Sequence, residues 1–273
     1  VSAPVCDSEG IFKENYSFFL GDTSRKLTVE VTDGDIILSS VTLKPAREIP
    51  EYAEYSKNNK GKQEGGVIKL NAEHPDNRTS KSIFTFCDAS GASVQPVAED
   101  KIVMNALGGS QWSRVGESAE WKIDVPKSGL YELRIKYMQG YTNGRGVSRS
   151  FYIDGEVPFK EALNIYFPYS SKWKEMTFSN EKGAYAFYLE KGEHTVTLAV
   201  SLGDLSEIIK DCKTVLSELN TVYRRIITLT GVTPDSYRDY QLEDKIPDVI
   251  ETIGEEAQRL DAIVERLNKS QKG

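Results

Sequence analysis

The stretch WKIDVPKSGLYELRIKY, residues 121–137, decides the fold class. Trp121, Ile123 and Val125 alternate with polar residues, and after the turn Pro126-Lys127-Ser128-Gly129 the residues Tyr131, Leu133, Ile135 and Tyr137 do the same. Apolar residues at period two line one face of a strand that is buried on that face only. Outward from this pair the pattern continues in Phe151 and Ile153, which end at Asp154-Gly155, and in Phe187, Leu189, Val196, Leu198 and Val200. Several such strands separated by turns predict a mainly β fold, an antiparallel β-sandwich. Trp121 shares parity with Ile123 and Val125 and is expected in the core. His194 is in phase with Val196 and Leu198, as a strand-end histidine directed toward the core.

The 273 residues suggest about two domains at roughly 150 residues each. Near Gly203 the strand pattern gives way to helix periodicity. Leu205, Ile208, Ile209, Cys212, Val215, Leu216, Leu219, Val222, Tyr223, Ile226 and Ile227 form a three-four stripe. Asp204 followed by Glu207 fits an N-cap with a reciprocating carboxylate, and Gly231 with Pro234 fits the stop. Ile246, Val249, Ile250, Ile253, Ala257, Leu260, Val264 and Leu267 form a second stripe beside Pro247. The two predict a long helical hairpin over residues 204–273. Each stripe is wide for a single partner, so further burial is expected, against the sandwich or against helices outside this chain. The polar ending Lys269 to Gly273 reads as a truncation point, and the start at Val1 as a processed or excised piece.

Near the N-terminus, Tyr16 to Leu20 and Leu27 to Val31 can be laid without a gap on Tyr185 to Leu189 and Val196 to Val200, which places Asp35 on Asp204. This self-similarity predicts that residues 1–45 are the closing strands of a preceding sandwich. Residues 46–66, with Pro50 and several Asn, Gly and Lys, read as a linker to a module spanning 67–203.

Thirty-four basic against 41 acidic residues give a net charge of −7, which repels phosphate backbones and makes nucleic acid an unlikely partner. No stretch approaches 18 apolar residues, so no transmembrane segment is expected. Cys6, Cys87 and Cys212 lack CxxC spacing, and with only His74 and His194 a histidine-rich metal centre is excluded. Phosphate-loop, zinc-protease and nucleophile-elbow signatures are absent, so the chain is read as non-catalytic and no cofactor as required.

Fourteen Tyr, 10 Phe and 3 Trp exceed what the strand faces need, which directs attention to aromatics in loops. Aromatic faces stack on the C–H faces of sugars, while Asn, Gln and Arg satisfy hydroxyls. Trp112 follows Gly108-Gly109-Ser110-Gln111, Trp173 follows Pro168-Tyr169-Ser170-Ser171-Lys172, and Tyr141 and Arg145 occupy the Gly140–Gly146 loop. For each, packing over the sandwich edge is the alternative to ligand contact.

Asn71-Ala72-Glu73, Gly108-Gly109, the run 121–137, Ile153-Asp-Gly155, Trp173 and the run Tyr188 to Leu198 occur in this order. In that series residues 67–203 resemble the β-jelly-roll carbohydrate-binding modules of families 6 and 35. With VSRSFYIDGEVPFKE at 147–161, Phe167-Pro-Tyr169 and TGVTPDSYRDY at 230–240, the longer run is similar to the N-terminal region of surface-anchored solute-binding proteins of Gram-positive sugar ABC transporters. The resemblance implies an extracellular, cell-surface setting, a carbohydrate partner, and a solute-binding domain elsewhere in the parent chain. It also implies a structural Ca²⁺ near Glu73, with Asp204 as second candidate ligand. Trp112 and Trp173 would then supply ring faces, and Gln111, Gln139, Tyr141 and Arg145 polar contacts. The rival expectations are a structural spacer that binds no sugar, with its aromatics packed away, and a fragment of a glycan-active enzyme.

Overall fold

The computed structural model describes residues 47–90 and 101–270, together with 7, 9–11, 16–18, 26, 28–30, 39–43, 45, 94 and 96. The closing strands expected within residues 1–45 therefore lie mostly outside the described residues. In chain order the elements are helix α1 (Tyr52–Asn58), then strands β1 (Asn77–Arg78), β2 (Thr85–Phe86), β3 (Ala106–Leu107), β4 (Ser118–Val125), β5 (Gly129–Glu132), β6 (Arg134–Gln139) and β7 (Val147–Ile153). Strands β8 (Ile165–Phe167), β9 (Ser170–Thr177), β10 (Ser179–Asn180), β11 (Gly183–Ala184), β12 (Ala186–Leu189) and β13 (Gly192–Ser201) follow, then helices α2 (Leu205–Thr230), α3 (Leu242–Lys245) and α4 (Pro247–Ser270).

One antiparallel sheet runs β1-β4-β13-β7-β8, and the pairs β12-β5 and β6-β9 face it. The turn at Pro126 does not fold β4 and β5 into a hairpin. It carries the chain from one layer to the other, since β4 pairs with β13 while β5 pairs with β12. Val196 lies opposite Trp121 on one side and Ile153 on the other, and Leu198 opposite Ala119 and Phe151, so the inward parities of three strands coincide. Trp121 is buried as its parity predicts, with its indole N–H donating to the Ala72 carbonyl at 3.1 Å. Rings fill the space between layers: Phe151 lies 5.6 Å from Phe178 and 5.1 Å from Phe187. Phe159 and Phe178 are fully buried.

Asp154 and Gly155 both take positive φ, at 52° and 75°, as a tight turn of the expected kind requires. His194 closes that turn from β13. Its Nδ1 lies 2.7 Å from Asp154 Oδ2 and its Nε2 2.9 Å from the Glu190 carbonyl oxygen. The Asp154 hydrogen bond, against a smaller loss from burial, raises the His194 pKa above its ordinary value.

The reading of residues 46–66 as a linker is corrected by the structure. Tyr52 and Tyr55 of α1 pack on the sandwich core. Their hydroxyls accept hydrogen bonds at 2.9 Å from the backbone N–H groups of Ala186 and Tyr188. Tyrosines three apart on a helix are about 5–6 Å apart, and alternate residues of a strand about 6.6 Å, so α1 can cover the open edge of β12. The Glu161 carboxylate accepts from the Tyr52 N–H at 2.8 Å, at the positive end of the helix. On the other side of the β12-β5 ladder, Gly65 N–H donates to the Leu130 carbonyl and Leu130 N–H to the Gln63 carbonyl, each at 2.9 Å. This approach requires glycine: a Cβ on Gly129 would lie 2.6 Å from the Gly65 nitrogen. The polar, glycine-containing composition hides the segment because its contacts are main-chain bonds and two tyrosine rings, with no apolar stripe.

Helices α2 and α4 form the expected hairpin, through Ile208, Val215 and Ile263 at one end and Val222, Ile246 and Val249 at the other. Ion pairs Asp211–Arg266 and Arg225–Asp248 fix the antiparallel register. The expected N-cap at Asp204 is corrected as well. Asp204 is already in helical conformation and makes no capping bond with its side chain. The Leu205 and Ser206 N–H groups instead bond the Leu202 and Gly203 carbonyls at 3.2 Å, and the Ser206 hydroxyl donates to Gly203 O at 2.8 Å. Gly231 ends the helix at φ 79°, as predicted. Among the described residues, no helix is long and apolar enough to cross a membrane.

Candidate functional site

A cavity of about 1220 Å³ opens between the layers at the end of the sandwich next to α2. Its walls include Trp112, Gln139, Tyr141, Arg145 and Trp173, and also Glu73 and Asp204. Residues chosen separately along the sequence thus line one cavity. Gln111 does not: it ends a short turn of 3₁₀ helix (Gly109–Gln111) and is exposed.

Trp112 is half-buried against the core. Gly108, at φ 92°, makes room for it, since a Cβ there would meet the indole at 2.8 Å. The indole N–H donates to the Glu117 carbonyl at 3.1 Å, and the Arg149 guanidinium carbon lies 5.3 Å from the ring centroid. Trp173 sits on β9, half-buried, with its N–H donating to Asp88 Oδ2 at 2.9 Å. Both tryptophans thus spend their only hydrogen-bond donor inside the protein, leaving ring surface alone for a ligand. Tyr141 and Arg145 differ in being exposed, Tyr141 at 53 %. Their loop is held by the buried Gln139 side chain, whose Nε2 donates to Thr142 Oγ1 at 2.8 Å, and by Arg145 N–H donating to Thr142 O at 3.1 Å.

Three residues that the sequence reading passed over shape the electrostatics. Arg149 donates to the carbonyls of Ser148 and Trp112, each at 3.0 Å. Burial lowers its pKa to about 10, opposed by the Glu117 carboxylate, so it stays charged at neutral pH. The Glu117 carboxyl is opposed by burial, yet the Ser82 hydroxyl at 2.7 Å and the Arg114 N–H at 3.2 Å hold its pKa below the usual value. Hydrogen bonds from Ser90, against burial and helped by the Trp173 indole, likewise hold the Asp88 pKa low. The signal for Arg149 was its parity: it alternates in phase with Val147 and Phe151, so a cation shares their strand face.

The Glu73 side chain, 8 % exposed, makes no hydrogen bond among the described residues. Asp204 Oδ1 accepts from the Asn164 amide at 2.7 Å. Calcium takes about six to eight oxygens, and among the described residues no group of three or more His, Cys, Asp and Glu could hold a metal.

Residues 207–273 match the bacterial solute-binding protein, 4-helix bundle domain. That segment is the hairpin of α2, α3 and α4. No curated protein matches the chain. Among solved structures, a Paenibacillus sp. cycloisomaltooligosaccharide glucanotransferase complexed with cycloisomaltoheptaose is 21 % identical over 51 % of this chain, with a TM-score of 0.37. The match spans only 17 % of that enzyme's length. A family 35 carbohydrate binding module from Clostridium thermocellum is 17 % identical, over 41 % of this chain and 77 % of the module, at a TM-score of 0.30. The module from Paenibacillus barcinonensis is 14 % identical, over 50 % of this chain and 88 % of the module, at 0.32.

Proposed function

We propose that the chain is a non-catalytic, extracellular carbohydrate-binding region of a sugar-uptake protein, in which the sandwich of residues 67–203 holds glycan at the cavity beside α2. The observation that carries this reading is the convergence of Trp112, Tyr141, Arg145 and Trp173 on one cavity with aromatic walls and the charged Arg149. Apolar walls with a few placed polar groups suit sugar rings, which present C–H faces and hydroxyl rims. The solute-binding match of residues 207–273 supports the transport setting. In this proposal the parent protein holds the module at the cell surface, next to the domain that takes up the sugar.

The engaged indole N–H groups of Trp112 and Trp173 favour a second reading, in which these rings only pack the end of the sandwich and the module is a spacer. Tyr141 and Arg145 separate the two, because both are exposed and their removal leaves the core intact. Native affinity electrophoresis in gels containing soluble plant or bacterial polysaccharides, run on the wild type and on Tyr141→Ala/Arg145→Ala, tests them. The glycan reading expects retention that weakens about tenfold in the variant, the loss of about 1.4 kcal/mol. Retention that the variant leaves unchanged would remove the cavity from the proposal. A parallel run in EGTA, with Glu73→Gln, tests calcium at Glu73.

A further inference from the structure

The loop joining β6 to β7 holds the one Asn-Gly pair in the chain, Asn143-Gly144. Both residues take positive φ, at 49° and 85°, and Arg145 N–H donates to Thr142 O at 3.1 Å across them. Positive φ at both central positions makes a tight turn of the type that asparagine and glycine favour. Asn143 and Gly144 are exposed, and a Cβ built on Gly144 would meet nothing within 4 Å. The Asn143 amide makes no hydrogen bond among the described residues. By contrast, Asn59 Nδ2 donates to Tyr55 O at 2.9 Å, Asn105 Nδ2 to Asp88 O at 3.0 Å and Asn164 Nδ2 to Asp204 Oδ1 at 2.7 Å.

An exposed asparagine amide beside a glycine N–H is placed for one reaction, in which water is the only co-reactant. The Gly144 nitrogen loses its proton and forms a bond to Asn143 Cγ. The Cγ–Nδ2 bond breaks, Nδ2 takes up a proton and leaves as ammonia, and a five-membered succinimide remains. Water then opens that ring at either carbonyl. Opening at Cγ gives aspartate on the original backbone. Opening at the Asn143 main-chain carbonyl gives isoaspartate, whose backbone runs through Cβ and Cγ and is one atom longer. Ring closure needs rotation about the backbone between the two residues and a clear approach for the nitrogen, and glycine, without a Cβ, obstructs both least.

We propose that Asn143 is a deamidation site, at which slow conversion to aspartate and isoaspartate alters the rim of the cavity; the effect on glycan rests on the function proposed above. Either product puts a carboxylate two residues from the Arg145 guanidinium, ionised at neutral pH as ordinary side-chain carboxyls are. Isoaspartate also inserts its extra atom between Thr142 O and Arg145 N–H, inside the closure of the turn. Thr142 is itself pinned by Gln139, whose Nε2 donates to its Oγ1 at 2.8 Å, so the added length is taken up on the Arg145 side. Tyr141 and Arg145, which flank the turn and line the cavity, then lose their fixed spacing.

Incubation of the full chain at mildly alkaline pH over weeks tests this, by mass spectrometry of the tryptic peptide spanning residues 137–145. The expected result is the mass gain of Asn converted to Asp at residue 143, ahead of the other ten asparagines, with ammonia released in equal amount and the product methylated by an isoaspartyl methyltransferase. Asn143→Gly, which accepts the same φ, should show none of these at that position. In polysaccharide gels the converted chain should be retained about tenfold more weakly than the fresh chain. Aged Asn143→Gly should keep its retention, and Asn143→Asp, which adds the charge without the extra atom, should fall between. An Asn143 still intact after other asparagines have reacted would overturn the proposal. Conversion that leaves retention unchanged would overturn its effect on the rim, whereas a fresh chain that no polysaccharide retains would overturn the function on which that effect rests.

Discussion

Replacing Tyr52 tests whether α1 belongs to the sandwich. The Tyr52 hydroxyl accepts from Ala186 N–H at 2.9 Å and lies 3.3 Å from the Ala184 carbonyl, to which it donates. Its ring meets Phe159 at 4.8 Å and Tyr185 at 4.6 Å between centroids. Tyr52→Phe keeps the ring and removes the hydroxyl, so it should cost about 1–2 kcal/mol, one net hydrogen bond plus an edge N–H left unpaired. Truncating a fully buried aromatic costs about 3–5 kcal/mol. Tyr52 is half-buried, so Tyr52→Ala should lose about half of that and the hydroxyl as well, about 3 kcal/mol in all. Urea unfolding followed by tryptophan fluorescence reads this directly, because Trp112, Trp121 and Trp173 all lie in the β part of the chain. The midpoint should fall with an unchanged slope. A loss below about 0.5 kcal/mol for Tyr52→Ala would refute the reasoning and return residues 46–66 to the role of a passive tether.

Two further outcomes follow from titratable groups. Because the folded pKa of His194 is raised above 6.5, its contribution to stability is full below pH 6.5 and is lost as pH rises through the raised value. Melting temperatures taken across that window should fall in the wild type by more than in His194→Gln, and parallel profiles would contradict the Asp154 contact. In the hairpin, Glu256 is 2 % exposed, with one oxygen bonded by Arg259 at 2.7 Å and the other without a partner among the described residues. Glu256→Met should stabilise the helices by about 1–3 kcal/mol and Arg259→Ala should destabilise them, as read by ellipticity on heating. Equal melting of the two variants would show that the carboxylate is not buried in solution.

What the sequence made legible follows from what each contact is built of. Trp121, Ile123 and Val125 declare a buried face by alternation, and the α2 and α4 stripes declare a hairpin by three-four spacing. Even the excess width of those stripes was readable: Leu216 and Val264 are the residues left over once Val215 and Ile263 have met. Main-chain bonds leave no such trace, so Gln63 and Gly65 on the edge of β5 looked like linker. Asp204 matched a capping pattern, but the turn carbonyls of Leu202 and Gly203 took the first helical N–H groups and left the carboxylate to Asn164. In the cavity, residue type pointed to the aromatics, whereas their engaged N–H groups depend on Glu117 and Asp88, which lie distant in sequence or in an unpatterned loop. Arg149 was legible as a cation in phase with Val147 and Phe151, but it lies on a strand, away from the loops to which the aromatics drew attention.

The most direct test of the account is a broad glycan array probed with the full chain, with and without Ca²⁺, and calorimetry on each glycan retained. The account predicts saturable binding to at least one glycan, weakened about tenfold by Tyr141→Ala/Arg145→Ala. A folded protein that retains no glycan under either condition would contradict it and make the sandwich a spacer for the helices it carries.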